Sequence, residues 1–286
     1  MREHILKLLE TNEDLPSLPE ILFRLRILLK DPDASLRDIV KLIEIEPVLA
    51  GKILTISNST FYAQNAKPIT SLPTAITKIG FKTLSKIVYS LKLTMLFSES
   101  DVMDSRKFWR HSLAVAVFTQ ALARRVRVSP SEQEIAYFAG LMHDVGFMVF
   151  GFLIPREYTA FLKEAVTIEE AIQTQEVRAF NIDHAEIGSL FIERWWKMEK
   201  GIIDSVRNHH MPFQSSPEER RIAELINISN GICNNQGITN GINTYKEIFK
   251  EGAWEELGLS ISDAEEIMAD VRTSLAEAQE FLGSGS

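Results

Sequence analysis

Apolar residues recur every three or four positions along nearly the whole chain, and no stretch longer than a few residues alternates apolar with polar. That period puts one apolar stripe on a helix, whereas strands need a period of two or β-branched runs. The chain is therefore expected to be all-α. One stripe, Ile21, Leu22, Leu25 and Leu28 or Leu29, follows the stiff lead-in Leu15-Pro16-Ser17-Leu18-Pro19 and ends at Asp31-Pro32-Asp33. Ser35 with Asp38 three residues on reads as a capping box, opening a helix with Leu36, Ile39, Val40 and Ile43 inward. Pro47 starts another, which polar Asn58-Ser59-Thr60 stops, and Ala75, Ile76, Ile79, Leu84, Ile87, Val88 and Leu91 continue the pattern past a break at Gly80.

Residues 13–98 are thus expected to form an N-terminal helical half. A polar, acidic connection carrying Glu99, Asp101 and Asp104 leads to a second half, 99–232. Helices are predicted there over 108–127, 131–145, 168–180, 184–196, 202–209 and 218–233. A loop and a last helix, capped by Ser262 with Glu265, make an extension over 233–282. The final Gly283-Ser284-Gly285-Ser286 stands outside the fold.

Composition narrows the class. Hydrophobic residues are 45% and charged residues 24%, as in ordinary globular proteins. A net charge of −8 argues against neutralising a phosphate backbone, so nucleic acid is a poor partner. Lys78, Lys82 and Lys86 form a basic stripe best read as a solvated helix face. Cys233, the only cysteine, rules out an intramolecular disulfide or a thiolate zinc cluster and favours a reducing compartment, the cytoplasm. The N-terminus lacks the pattern of a secretion signal. The most apolar stretch, 138–155, contains His143 and Asp144 and reads as buried core rather than a membrane span.

That pair carries the chemical signal. An Asp inside Gly140-Leu141-Met142-His143-Asp144-Val145-Gly146 would be costly to bury without a cation or donors. Imidazole and carboxylate together are common ligands of divalent metals. Five of the six histidines, His111, His143, His184, His209 and His210, lie in the second half, whereas His4 stands apart.

The order His111, His143-Asp144, His184, His209-His210 resembles the HD superfamily of metal-dependent phosphohydrolases, especially its HD-GYP phosphodiesterase branch, where such positions ligate metal. A closer resemblance, from Leu15 to about Gly258, is to the HDOD family. It rests on Leu15-Pro16-Ser17-Leu18-Pro19, Glu46-Pro47-Val48-Leu49 where the family more often has Asp-Pro, Asn58-Ser59-Thr60-Phe61-Tyr62, Phe108-Trp109-Arg110-His111-Ser112 and Asp183-His184-Ala185-Glu186-Ile187-Gly188. The resemblance implies an HD-like helical bundle over 99–232 beside an N-terminal helical subdomain. It also implies a bacterial signalling module that is usually without demonstrated catalysis.

Three departures from the phosphodiesterase pattern bear on activity. Phe147 stands near the place of a Lys that would contact the scissile phosphate. Met211-Pro212-Phe213 follows the His pair, with no Gly-Tyr-Pro segment. Asn230 falls where the superfamily's closing Asp is expected, offering an oxygen without charge.

The leading expectation is an intracellular regulatory module acting with other signalling proteins. The alternative is a metal-dependent phosphohydrolase for a nucleotide-like or other phosphate-containing small molecule, with Asp144 as candidate catalytic residue. The expected ligands are His111, His143, Asp144, His184, His209 and His210, and a histidine-rich set favours Fe or Mn over Mg. Asn58, Phe61 and Tyr62 are a possible partner edge, though a helix-stopping turn is the plainer reading. Trp195 and Trp196 are expected to be packing residues.

Overall fold

The computed structural model describes residues 1–59, 68–96, 103–165, 169–214, 217–242 and 258–282. Of the described residues 76% are helical and none is in a strand, as the periodicity requires. The chain divides into two compact units, one of residues 1–16 and 97–275, the other of residues 17–96 with the end of the chain.

The smaller unit holds helices α2 (Glu20–Lys30), α3 (Leu36–Glu44), α4 (Pro47–Ser57), α5 (Leu72–Ile79) and α6 (Phe81–Leu96). The predicted stripes close its core, with Leu22, Leu25, Ile43, Ile53, Ile76 and Val88 fully buried. The capping box at α3 is present: Asp38 N–H donates to Ser35 Oγ, and Ser35 N–H donates to the Asp38 carboxylate. Asn58, at the end of α4, acts as a staple. Its amide donates to the carbonyls of Leu54 and Ile69, and its oxygen accepts from Ile69 N–H at 2.7 Å. Phe61 and Tyr62 lie outside the described residues.

The larger unit begins with α1 (Arg2–Thr11). It continues through α7 (Ser105–Arg125), α8 (Pro130–Met142), α9 (Val145–Leu153), α10 (Pro155–Ala165), α11 (Ile172–Phe180), α12 (His184–Arg194), α13 (Lys200–Asn208), α14 (Pro217–Asn235) and most of α15 (Ile261–Leu282), whose residues from Ala276 on fall in the smaller unit. Helices α7 and α8 pack along one another, α14 lies on both, and α9 packs on α12. Trp195 and Trp196 donate their indole N–H groups to the carbonyls of Leu9 and Pro16, anchoring the N-terminal segment.

Three local outcomes differ from expectation. The helix predicted over 131–145 stops at Met142, because His143 turns its Nδ1 back onto the Gly140 carbonyl and Asp144 takes the position before α9 without capping it. Helices α9 and α10 were not foreseen; α9 is buried almost all round and so shows no stripe. The last helix is capped by Ser260 and Asp263 instead of Ser262 and Glu265, the Asp263 carboxylate accepting from Ser260 N–H at 2.8 Å. The apolar segment Pro130–Leu153 is long and apolar enough to cross a membrane by length and composition, but 78% of its apolar window is buried inside the fold.

Candidate metal centre

Four segments of the larger unit bring polar side chains to one buried point. His111 comes from α7, His143 and Asp144 from the break between α8 and α9, His184 from the first residue of α12, and His209 and His210 from just past α13. Two glycines allow this convergence. A Cβ on Gly146 would lie 1.9 Å from the His184 carbonyl oxygen, and one on Gly188 would lie 2.9 Å from the Gly146 nitrogen. Helices α9 and α12 thus touch backbone to backbone, which sets His184 beside Asp144.

The carboxylate of Asp144 is the hub. Its Oδ2 lies 3.1 Å from His143 Nε2 and 3.6 Å from His111 Nε2, while its Oδ1 lies 3.5 Å from His184 Nε2 and 3.8 Å from His209 Nε2. His111, His143, His184 and His209 are fully buried, and Asp144 is 2% exposed. His210 is half-buried, its Nε2 2.8 Å from His184 Nε2.

Backbone partners orient the rings. Nδ1 of His111 lies 2.7 Å from the Ile238 carbonyl, that of His143 2.8 Å from Gly140, and that of His209 2.7 Å from Val206. A carbonyl only accepts, so each Nδ1 carries the proton and, in the neutral ring, each Nε2 presents a lone pair. Those three buried Nε2 atoms make no hydrogen bond. Lone pairs facing a carboxylate across 3–4 Å repel unless positive charge sits between them.

Burial supplies little of that charge. It drops the His111 pKa to about 4, despite the pull of Asp144, and holds His209 well below its usual value, so both rings are neutral at pH 7. Burial also pushes against Asp144 ionising, but the His143, His184 and His111 imidazoles outweigh it and keep the carboxyl well below its usual range. His184 is the exception. Burial lowers its pKa, yet the Glu176 carboxylate, with help from Asp144, lifts it to about 9. The Asp144 carboxylate thus faces neutral His111 and His209 rings inside the fold, and a divalent cation at this point would answer its charge.

The donor set therefore fits a metal. The atoms of His111, His143 and Asp144 lie within 4.8 Å of one another, as do those of His184, His209 and His210. The Nδ1–H groups given to carbonyls or to a carboxylate are the outer-sphere contacts that metal-ligating histidines ordinarily make.

All six expected side chains are brought together. Asn230 is buried beside His111 and accepts from the Asn234 amide at 2.9 Å. The amide that reaches Asp144 is that of Asn240, donating to Oδ2 at 2.8 Å. Asn240, Ile238, Glu176 and Tyr158 escaped the sequence reading. Of these only Glu176 gave a signal, a carboxylate on the same helical face as Ile172 and Phe180. Phe147 stacks on the His184 ring, centroids 3.9 Å apart.

The sequence profile of the HDOD domain matches residues 15–212. An uncharacterised protein of Treponema pallidum (strain Nichols) is 26% identical over 211 residues, 72% of this chain; the match spans 39% of that protein's length. Among solved structures, an HDOD domain protein of unknown function from Geobacter sulfurreducens superposes with a TM-score of 0.78 at 23% identity, covering 99% of this chain and 97% of its own. A candidate signal transduction protein from Marinobacter aquaeolei VT8 gives 0.77 at 21% identity, over 99% and 65%. A candidate metal-dependent phosphohydrolase from Shewanella amazonensis SB2B gives 0.61 at 17% identity, over 96% of each. At these identities the structural likeness is one of fold. The profile, however, runs from the proline lead-in through the His209-His210 pair, well over half of the sequence, and on that ground the chain belongs to the HDOD family.

Proposed function

We propose that the protein is a bacterial cytoplasmic signal-transduction module whose larger unit holds a divalent cation at the Asp144 hub and turns over phosphate esters weakly or not at all. His111, His143, Asp144, His184, His209 and His210 would hold the ion, and their nitrogen-rich set favours Fe or Mn over Mg. Such an ion supplies Lewis-acid activation of a phosphoryl oxygen and of water.

The observation that carries this reading is Phe147. The chain places an aromatic ring flat on His184, where the catalytic relatives that the sequence resembles have a cation for the substrate phosphate. The ring excludes water from one face of His184 and offers no charge. Of the six ligand candidates only His210 is more than marginally exposed, so a phosphate has a narrow approach. A centre that binds an ion but lacks anion-contacting machinery suits a structural or regulatory cation. Other signalling proteins are the partners this role implies, and a phosphate-containing small molecule is the corresponding ligand class.

Hydrolysis of bis(p-nitrophenyl) phosphate and of a cyclic dinucleotide by Mn²⁺- or Fe²⁺-loaded protein tests the proposal. The expected rate does not exceed that of Asp144→Asn. The second reading, a metal-dependent phosphohydrolase, is favoured by the full ligand set and by the name of the Shewanella relative. Turnover that Asp144→Asn abolishes would establish it in place of the first.

A further inference from the structure

Glu176 is no candidate ligand, yet it is fully buried on α11 between Ile172 and Phe180. A carboxylate so placed is tolerated only when several donors meet it. Three do. The His184 backbone N–H donates to Oε2 at 2.8 Å, His184 Nδ1–H donates to the same oxygen at 2.6 Å, and the Tyr158 hydroxyl donates to Oε1 at 2.5 Å. Tyr158 is itself fully buried and stacks on Phe150. A continuous line of polar contacts thus runs from Tyr158 through Glu176 and His184 to Asp144 Oδ1.

This support differs in kind from that of the other rings. His111, His143 and His209 lean on backbone carbonyls, which are neutral acceptors, whereas His184 leans on a carboxylate. A charged acceptor makes the stronger hydrogen bond and the more electron-rich imidazole, so Nε2 becomes a better donor to a cation. Glu176 also grips His184 at two points, backbone and ring, while Phe147 closes one face of that ring.

We infer that Glu176, held in place by Tyr158, is the positioning residue that fixes His184 for cation binding, an inference that rests on the cation-binding reading above. It acts through His184 and touches no ion itself. The test uses the full chain, Zn²⁺ as a diamagnetic probe, and two readouts: calorimetric affinity, and the imidazole N–H signals of ¹⁵N-histidine-labelled protein. In the metal-free chain His184 Nδ1–H is expected far downfield and slow to exchange. Glu176→Gln should move that proton upfield, leave the His111 Nδ1–H signal in place, and weaken Zn²⁺ binding about 10- to 100-fold. Tyr158→Phe, which leaves Glu176 Oε1 without its donor, should displace the same proton signal and lower Zn²⁺ affinity by less, and it decides the matter if Glu176→Gln does not fold.

Wild-type affinity together with an unmoved His184 signal in whichever variant folds overturns the inference. A wild-type chain that binds no Zn²⁺ defeats the cation-binding reading; the His184 signal of the metal-free proteins then still shows whether Glu176 positions the ring.

Discussion

Asp144 is held by more than histidines. The Asn240 amide donates to its Oδ2 and accepts Ile242 N–H in turn, so a loop residue far along the chain fixes the hub carboxylate. Asn240→Ala removes a donor to a buried charge and is expected to cost about 1–3 kcal/mol in denaturant unfolding of the metal-free protein. Stability unchanged within error would show that Asp144 does not depend on this contact. At this scale the sequence was half legible. His143-Asp144 announced itself because a charge inside an apolar run needs a partner, and the other imidazoles could be gathered by order along the chain. Asn240 could not be foreseen, since a Gly- and Asn-rich loop has no periodicity from which to read a direction. Asn230 and Asn240 differ in the same way: helical register placed the first beside His111, and only the loop's path brought the second to Asp144.

Among the elements, the contact of α9 with α12 matters most for the site. A methyl at residue 146 would sit 1.9 Å from the His184 carbonyl, closer than any side-chain rotation can relieve, so one backbone must move. Gly146→Ala is therefore expected to lower stability by about 1–3 kcal/mol or more and to reduce metal retention with it, read by thermal unfolding and elemental analysis. A variant as stable and as metal-competent as the parent would show that the helices have slack. The first helix is held differently. Arg2 donates to both carboxylate oxygens of Glu186 on α12, and this hydrogen bond, against some burial, keeps the Glu186 pKa below its ordinary 4.5. A depressed acid stabilises the fold above its unfolded pKa and loses that effect as pH falls through the folded value. Both side chains are about a third exposed, so Arg2→Ala should cost under about 1 kcal/mol at pH 7. That difference should shrink as pH drops below 4.5 in paired urea titrations; a pH-independent difference would mean packing, not charge, docks α1. Stripes and caps gave most helices away, Ser35 with Asp38 above all. The break at His143-Asp144 and the start of α9 were hidden because local periodicity is blind to side chains that bind across the fold.

For the whole molecule, the all-α architecture was readable from period alone, and the kinship from short motifs spread over both halves. The convergence of α7, α9, α12 and α13 on one carboxylate was expected from the order of the histidines, but the backbone approach at Gly146 that permits it leaves no trace in hydrophobic pattern. The physical meaning of the convergence rests on charge: imidazole lone pairs turned inward on a buried carboxylate suit a cation at the hub. Elemental analysis of gently purified protein, repeated after soaking in Mn²⁺ or Fe²⁺ and on Asp144→Asn, measures this directly. Fe or Mn should be retained in the parent and lost from the variant; a parent that carries no metal and regains none on soaking would show that the hub holds no cation.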